Sequence, residues 1–519
     1  MPTALSSTDT GSTYRRPGHL AAARRAVADV RILLQFRKQA VRRRHFTRVL
    51  SLVFLGITVA VAVVPSLVDH GPSSARAQVL ALMPSAMAGI LVLSMASAIA
   101  SGGGRELISR DQASPYPISP TTDHLGALLL APLNIAWMIQ AWLLLGSMAY
   151  GLGWDDALIP AQGVVLLWLV CATAAGQVVA WGVEAVRRGR FGIALTRGLF
   201  VCLAGAAGYI QLTHRAAHFF DSIPTTWFFF GALSPWRLYW WEVVGALVLG
   251  SVVAVALGAV PTHLAARRMP RDEARMETSQ HEPRRMPRGV LGMLVRTDRG
   301  SVWRSVPMRR GVMVLAVGPG VVAVFGDLSW SSMTILPGLV ASGGALLFGV
   351  NAWCLDGRGA LWRENLPARA TALFDARAWV LFEFLAAASL ITVGIGALRA
   401  GVPNPEEFSA LVCTLLVVLV QVVGAALRWS IKSPYPVDLR SARATPAPPA
   451  AMVGYSARLA VSTTFTSLVF SGFAHVPEWR LSVMFAIPCL MWSGLRLART
   501  RERWADPVTR ARVVSTVAA

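Results

Sequence analysis

Long apolar runs constrain this chain more than any other feature. A helix that crosses a bilayer needs ~20 mostly apolar residues, and twelve stretches meet that description: 48–68, 79–101, 124–151, 158–186, 198–214, 238–264, 311–327, 333–354, 378–399, 408–428, 456–474 and 479–498. A chain of 519 residues with 54% hydrophobic residues and only 15% charged ones falls well short of the ~25% charge of a soluble globule. The expected fold class is therefore an all-α integral membrane protein.

The apolar runs fall into two sets of six, divided by the basic, proline-broken stretch 265–310. Its first part holds Arg267, Arg268, Arg271, Arg275, Arg284, Arg285 and Arg288 with Pro270, Pro283 and Pro287 and almost no large apolar side chain, so it has nothing with which to build a core. The net charge of +22 lies in the gaps between apolar runs rather than in a patch for nucleic acid, and no nucleic-acid partner is expected. With the N-terminus on the cytoplasmic side, all but five of the 49 Lys and Arg residues fall on that side, the exceptions being Arg76, Arg215, Arg237, Arg399 and Arg480. That asymmetry follows the positive-inside rule and puts both termini and the central linker in the cytoplasm.

Residues 20–46 read as an interfacial helix, with Val27, Val30, Leu34 and Val41 beside a basic stripe of Arg24, Arg31, Lys38 and Arg42. The stretch 290–306 repeats it, with Leu291, Val295, Val302 and Val306 opposite Arg296 and Arg304. Other features recur in register. Pro117 and Thr121 match Pro367 and Thr371 in the two long loops, and Gln177 and Gln421 each precede a charged residue, Glu184 and Arg428, by seven positions. The expected architecture is about twelve transmembrane helices in two parallel six-helix repeats, each preceded by an amphipathic interfacial helix. Its parts are a flexible tail over 1–19, a first half over 20–264, a linker over 265–289, a second half over 290–498 and a cytoplasmic tail over 499–519.

Several chemistries lack their residues. The two lysines, Lys38 and Lys432, do not follow the G-x-x-x-x-G of a phosphate-cradling loop, and neither H-E-x-x-H nor G-x-S-x-G occurs. No catalytic, cofactor-binding or metal residues are expected in the chain. His214, His218 and Asp221 have a ligand-like spacing, but a lone pair of interfacial histidines lacks further ligands. The five cysteines, Cys171, Cys202, Cys354, Cys413 and Cys489, show no paired spacing and suggest small core residues.

Polar side chains inside spans are costly in lipid and face the bundle interior, which makes Asn134, Gln140, Gln177, Glu242, Glu383 and Gln421 candidates for a translocation pathway, with Gln211 and Asn351 beside them. Interhelical hydrogen bonding is the competing reading, and Glu383 can also pair with Arg377. Between the fifth and sixth spans, residues 214–241 crowd Phe and Trp around two prolines. Pro224, Trp227, Pro235 and Trp236 mark a candidate outer gate built on a re-entrant turn, with an ordinary interfacial aromatic belt as the alternative.

The basic helix before each half, Leu355-Asp356-Gly357 followed by Leu366-Pro367, and Leu233-Ser234-Pro235-Trp236 carry a resemblance to the permease subunits of type-2 ABC exporters. The chain is most similar to the bacterial kind with both halves fused in one polypeptide. The resemblance implies an elbow helix before each half and a coupling loop between the second and third spans that docks on a separate nucleotide-binding ATPase subunit, two copies per complex. ATP and Mg would then bind on that partner and not here. It also implies a multi-pass protein of the bacterial cell membrane, and it places Glu106, Arg110, Asp111, Pro117, Asp356, Gly357, Glu364 and Pro367 at or near the ATPase contact. The first-half loop departs from the pattern, with Ser109-Arg110-Asp111-Gln112 where the second half has Leu355-Asp356-Gly357. A proton-coupled secondary transporter with twelve spans would have a short second-to-third-span loop with a G-x-x-x-D-R-x-G-R-R signature, which is missing. A polytopic transferase would need a larger first outer loop than 69–78.

Overall fold

The computed structural model describes residues 19–39, 44–67, 73–100, 116, 118–133, 135–213, 223–268, 287–357, 359–436 and 446–518. Among them the chain is helical, with no strand. The first half comprises α1 (His19–Gln39), α2 (Arg44–Leu67), α3 (Ser73–Ala100), α4 (Pro120–Leu130), α5 (Ile135–Leu152), α6 (Leu158–Arg187), α7 (Gly192–Leu212), the short α8 (Thr225–Ala232) and α9 (Leu238–Ala266). The second half comprises α10 (Val290–Arg304), α11 (Val306–Phe325), the single turn α12 (Trp330–Met333), α13 (Leu336–Leu347), a 3-10 segment (Gly349–Leu355), α14 (Gly359–Glu364), α15 (Ala370–Ala400), α16 (Pro405–Lys432), α17 (Pro449–Phe473), α18 (Arg480–Ala505) and α19 (Pro507–Ala518).

Helix starts are written locally. The Ser119 hydroxyl accepts the Thr122 amide at 3.1 Å ahead of Pro120, and Asn404 and Glu407 form a reciprocal capping box ahead of α16 with Pro405 in its first turn. Asp506 caps α19 by accepting from the Thr509 amide at 2.9 Å and the Thr509 hydroxyl at 2.6 Å. Those hydrogen bonds, the hydroxyl's above all, hold the exposed Asp506 carboxyl below its ordinary pKa.

Seven helices among the described residues are long and apolar enough to cross a membrane: Ala75–Ile99, Leu158–Arg187, Leu238–Ala266, Trp330–Leu347, Ala370–Ala400, Pro405–Lys432 and Arg480–Ala505. An eighth is added if α10 and α11, bent by 83° at their junction, count as one. Twelve were expected, and the shortfall has local causes. The apolar parts of α2 and α7 shrink to Leu52–Leu67 and Gly192–Leu203. A 3-10 turn at Ala131–Leu133, which contains Pro132, interrupts the α4 to α5 path, and α17 carries Ser456, Arg458, Ser462, Thr463, Thr464, Thr466 and Ser467 along its length. The 83° bend sets α10 nearly perpendicular to α11. Ser305 there is extended, at φ −72° and ψ 109°, and Pro307 lies in the first turn of α11.

In lipid the hydrophobic effect gives little drive for helices to associate, so close backbone approach carries more of the packing. Gly176 on α6 shows this: a Cβ there would lie 3.0 Å from the backbone carbonyl carbon of Ser94 on α3. The packing scheme of the first half has counterparts in the second. Helix α1 lies on α4 as α10 lies on α15, α2 on α5 as α11 on α15, and α9 on α6 as α18 on α16. The fifth positions differ, because α17 packs on both α13 and α16 whereas α7 rests mainly on α6. The core of the first half gathers Met83, Leu144, Val165, Trp168 and Val243, and that of the second gathers Phe348, Phe374, Leu381, Val422 and Tyr455. The stretch 499–519 is largely folded: α18 continues to Ala505, and α19 turns back to bury Val513, Val514 and Val517.

Candidate functional site

The densest polar construction in the described chain is at the loop after α13. Asp298 of α10 and Arg377 of α15 have side chains with no solvent exposure, and they pair at 3.1 Å between Nε and Oδ2. Arg377 also donates from Nη2 to both Asp356 oxygens at 2.8 Å and from Nη1 to the Ala352 carbonyl. Arg363 donates from Nη1 to Asp298 at 2.6 Å and to Asp356 at 2.5 Å. Two arginines and two aspartates thus neutralise one another. Burial alone would lower the Arg363 pKa, but the charges of Asp356 and Asp298 outweigh it and move it up.

The backbone around this cluster is fixed as well. Asn351 breaks the 3-10 segment at φ −144° and ψ 76°, and its side-chain amide donates to the Tyr435 carbonyl at 2.8 Å and the Pro446 carbonyl at 3.1 Å. The Ala352 amide donates to the Ser430 hydroxyl of α16 at 2.7 Å. Gly357 then turns the chain with φ +49°, a conformation that favours glycine. Between them, Cys354 is fully buried, and burial pushes its thiol up to about 12.

The C-terminal helices clamp the same loop. Trp504 stacks on Trp353 with ring centroids 3.8 Å apart and planes 6° from parallel, and Arg377 lies over the Trp353 ring at 5.3 Å. Trp504 donates from its indole to the Ala370 carbonyl at 3.0 Å. Arg510 of α19 pairs with Glu364 at 2.5 Å, and Arg501 of α18 holds Asp375 through two bonds of 2.7 and 2.8 Å. Helix α14 presents Leu361 and Trp362 outward, 54% and 71% exposed, while Ala360 and Arg363 face in. The short helix thus carries an exposed Leu-Trp pair on a loop held by ion pairs and ring stacking.

Of the expected coupling residues, Asp356 is turned into the cluster, Gly357 makes the turn, Glu364 is bridged to Arg510, and Pro367 is exposed just ahead of α15. Glu106, Arg110, Asp111 and Pro117 lie outside the described residues, as do Asn134 and the His214, His218 and Asp221 group. Helix α1 does place Asp29 against α4, where the Thr122 hydroxyl donates to it at 3.4 Å.

Among the described residues no hydrogen bond or ion pair joins two of the expected pathway residues. Gln177 is buried in α6, Gln140 is half-buried on α5, Glu242 is exposed on α9, and Gln421 accepts from the Thr466 hydroxyl at 3.2 Å between α16 and α17. Glu383 pairs with Arg299 at 2.7 Å rather than with Arg377, whose guanidinium is committed to the two aspartates. At the other end of the first half, Pro224 caps α8, which packs Phe229 and Ala232 against α3, α6 and α9. Pro235 precedes Trp236, which takes a left-handed φ of +63° that is rare for so bulky a residue. Trp236 lies 5.2 Å from Trp240, and the Tyr239 hydroxyl donates to the Trp227 carbonyl at 3.0 Å.

Sequence reasoning passed over the residues that matter most in this site. Asp298, Arg363, Leu361, Trp362 and Trp504 are not among the sequence candidates, although an aspartate in the middle of a basic amphipathic helix is a signal. Comparison of the chain with protein-family models, curated proteins and solved structures finds no match.

Proposed function

We propose that the chain is the membrane-spanning permease of an ATP-driven exporter in a bacterial cell membrane, with its two halves acting as six-helix repeats and both termini cytoplasmic. The reading rests on the resemblance to type-2 ABC permeases and on one structural observation. The exposed Leu361 and Trp362 of α14 ride on a loop tied through Asp356, Arg363 and Arg377 to α10 and α15. A force applied to α14 passes into a spanning helix through salt bridges and packed side chains, which is what coupling to a separate ATPase requires. The corresponding packing of the two halves and the near-perpendicular α10 support the repeat and its interfacial helix.

In this reading Leu361 and Trp362 are the apolar anchors for the partner, supported by Glu364, Pro367 and the turn at Gly357. ATP and Mg bind the partner subunit, present in two copies, and Gln177, Gln421 and Glu383 tune helix contacts near the path. The test is co-expression with a cognate ATPase subunit. The purified chain alone should hydrolyse no ATP, and the pair should co-purify with ATPase activity. Gradient-driven transport by the chain alone would overturn the proposal.

A further inference from the structure

A second charged construction lies where the two halves meet, and the coupling account does not use it. Glu184, in the last turn of α6, is contacted by Arg187 at 3.6 Å, by Arg188 at 3.0 Å and by Arg310 of α11 at 3.2 Å. Arg268, just past the end of α9, donates to the Ala185 carbonyl at 2.8 Å, and Arg188 donates to the Ala265 carbonyl. Three guanidiniums therefore converge on the Glu184 carboxylate and a fourth, that of Arg268, is bonded to the next residue, so that arginines from the ends of three helices are gathered at one carboxylate. Arg188 and Arg310, like Glu184, are largely removed from solvent, so their surplus positive charge is poorly screened.

Depth and surroundings identify the anion that would balance it. The cluster sits where the apolar runs of α6 and α9 stop and α11 begins, which is the level of lipid headgroups, and on the arginine-rich side of the chain. Val186, Phe191 and Leu264 are exposed beside it, giving acyl chains an apolar flank that a free phosphate ion would not need. Arginine forks match phosphate oxygens in geometry as well as in charge.

We propose that the Glu184-centred arginine cluster binds the phosphate headgroup of an anionic phospholipid, wedged between the two halves at the inner membrane face. Arg268 and Arg310 supply the donors, and Glu184 keeps the guanidiniums gathered. This site is independent of the coupling reading, since it requires only that the chain be embedded in a membrane.

The experiment is native mass spectrometry of the full chain in detergent, with dioleoyl phosphatidylglycerol or dioleoyl phosphatidylcholine added. The unaltered chain should retain phosphatidylglycerol over phosphatidylcholine by about tenfold, the scale of charge-assisted contacts. The Arg268→Gln/Arg310→Gln double variant should lose that preference. Arg496→Gln/Arg499→Gln, which removes two exposed arginines from the end of α18, should keep it. Equal retention of the two lipids by the unaltered chain would overturn the proposal without recourse to any variant. So would equal loss in the two double variants, or displacement of the lipid by millimolar inorganic phosphate.

Discussion

Arg377 on α15 and Asp298 on α10 form an ion pair that excludes solvent from both partners. The pair joins the helix expected to lie on the membrane to one that is long enough to cross it, and Asp356 and Arg363 complete it from the intervening loop. Isolated charges could not be kept in such a place, because removing a lone ion from water costs several kcal/mol. The cluster is tolerable only as a closed set.

Opening that set should therefore be expensive. Arg377→Met leaves Asp298 buried beside a single remaining arginine and is expected to cost about 3 to 5 kcal/mol. Asp298→Leu should cost a similar amount. Thermal unfolding of the detergent-purified chain measures this, and a loss below about 1 kcal/mol would show that the cluster is not closed as described.

The C-terminal clamp gives a second expectation. Trp504→Ala removes a buried indole together with its stack on Trp353 and its bond to the Ala370 carbonyl, a change in the range of about 3 to 5 kcal/mol for a core aromatic. Limited proteolysis should then cut within 506–518 at protease levels that spare the unaltered chain. If the cleavage pattern does not change, α19 is held by its valines and Arg510 alone.

Cys354 offers a reading of pH. Its pKa is raised by burial to about 12, so the neutral thiol persists throughout the range in which an ordinary cysteine becomes thiolate, and alkylation needs the thiolate. In the folded chain Cys354 should resist iodoacetamide from pH 7 to about pH 9 and react only after unfolding, as peptide mapping would report. Labelling at pH 8 in the native state would contradict the burial.

Much of the fold was legible because apolar runs and arginine-bearing gaps are local signals. A helix expected over 290–306 is observed over Val290–Arg304. The number of spans was less legible. Proline and hydroxyl residues within apolar stretches, such as Pro132 before α5 and the threonines of α17, shorten or polarise helices without erasing their average hydropathy. The site was the least legible part, because the Asp298 to Arg377 pairing spans 79 positions and nothing local to the aspartate in its basic helix says which arginine it meets. Leu361 and Trp362 read as ordinary loop hydrophobics until the buried faces of Ala360 and Arg363 fix which way α14 points.

The junction at 290 yields a prediction about fragments. A cut near Glu277 leaves α10 with its own half, and two co-expressed fragments should reassemble and co-purify. A cut at Arg299 strands Asp298 away from Arg377, and those fragments should not. Equal recovery in both cases would mean that α10 contributes little to the second half.

The coupling claim is tested most directly at Trp362, which is 71% exposed. Exposed aromatic anchors of this kind carry about 2 kcal/mol or more at interfaces. ATP turnover by the co-purified complex should therefore fall at least about tenfold in the Leu361→Ser/Trp362→Ser variant, with the melting temperature of the isolated chain unchanged. Wild-type turnover and co-purification in that variant would contradict the account.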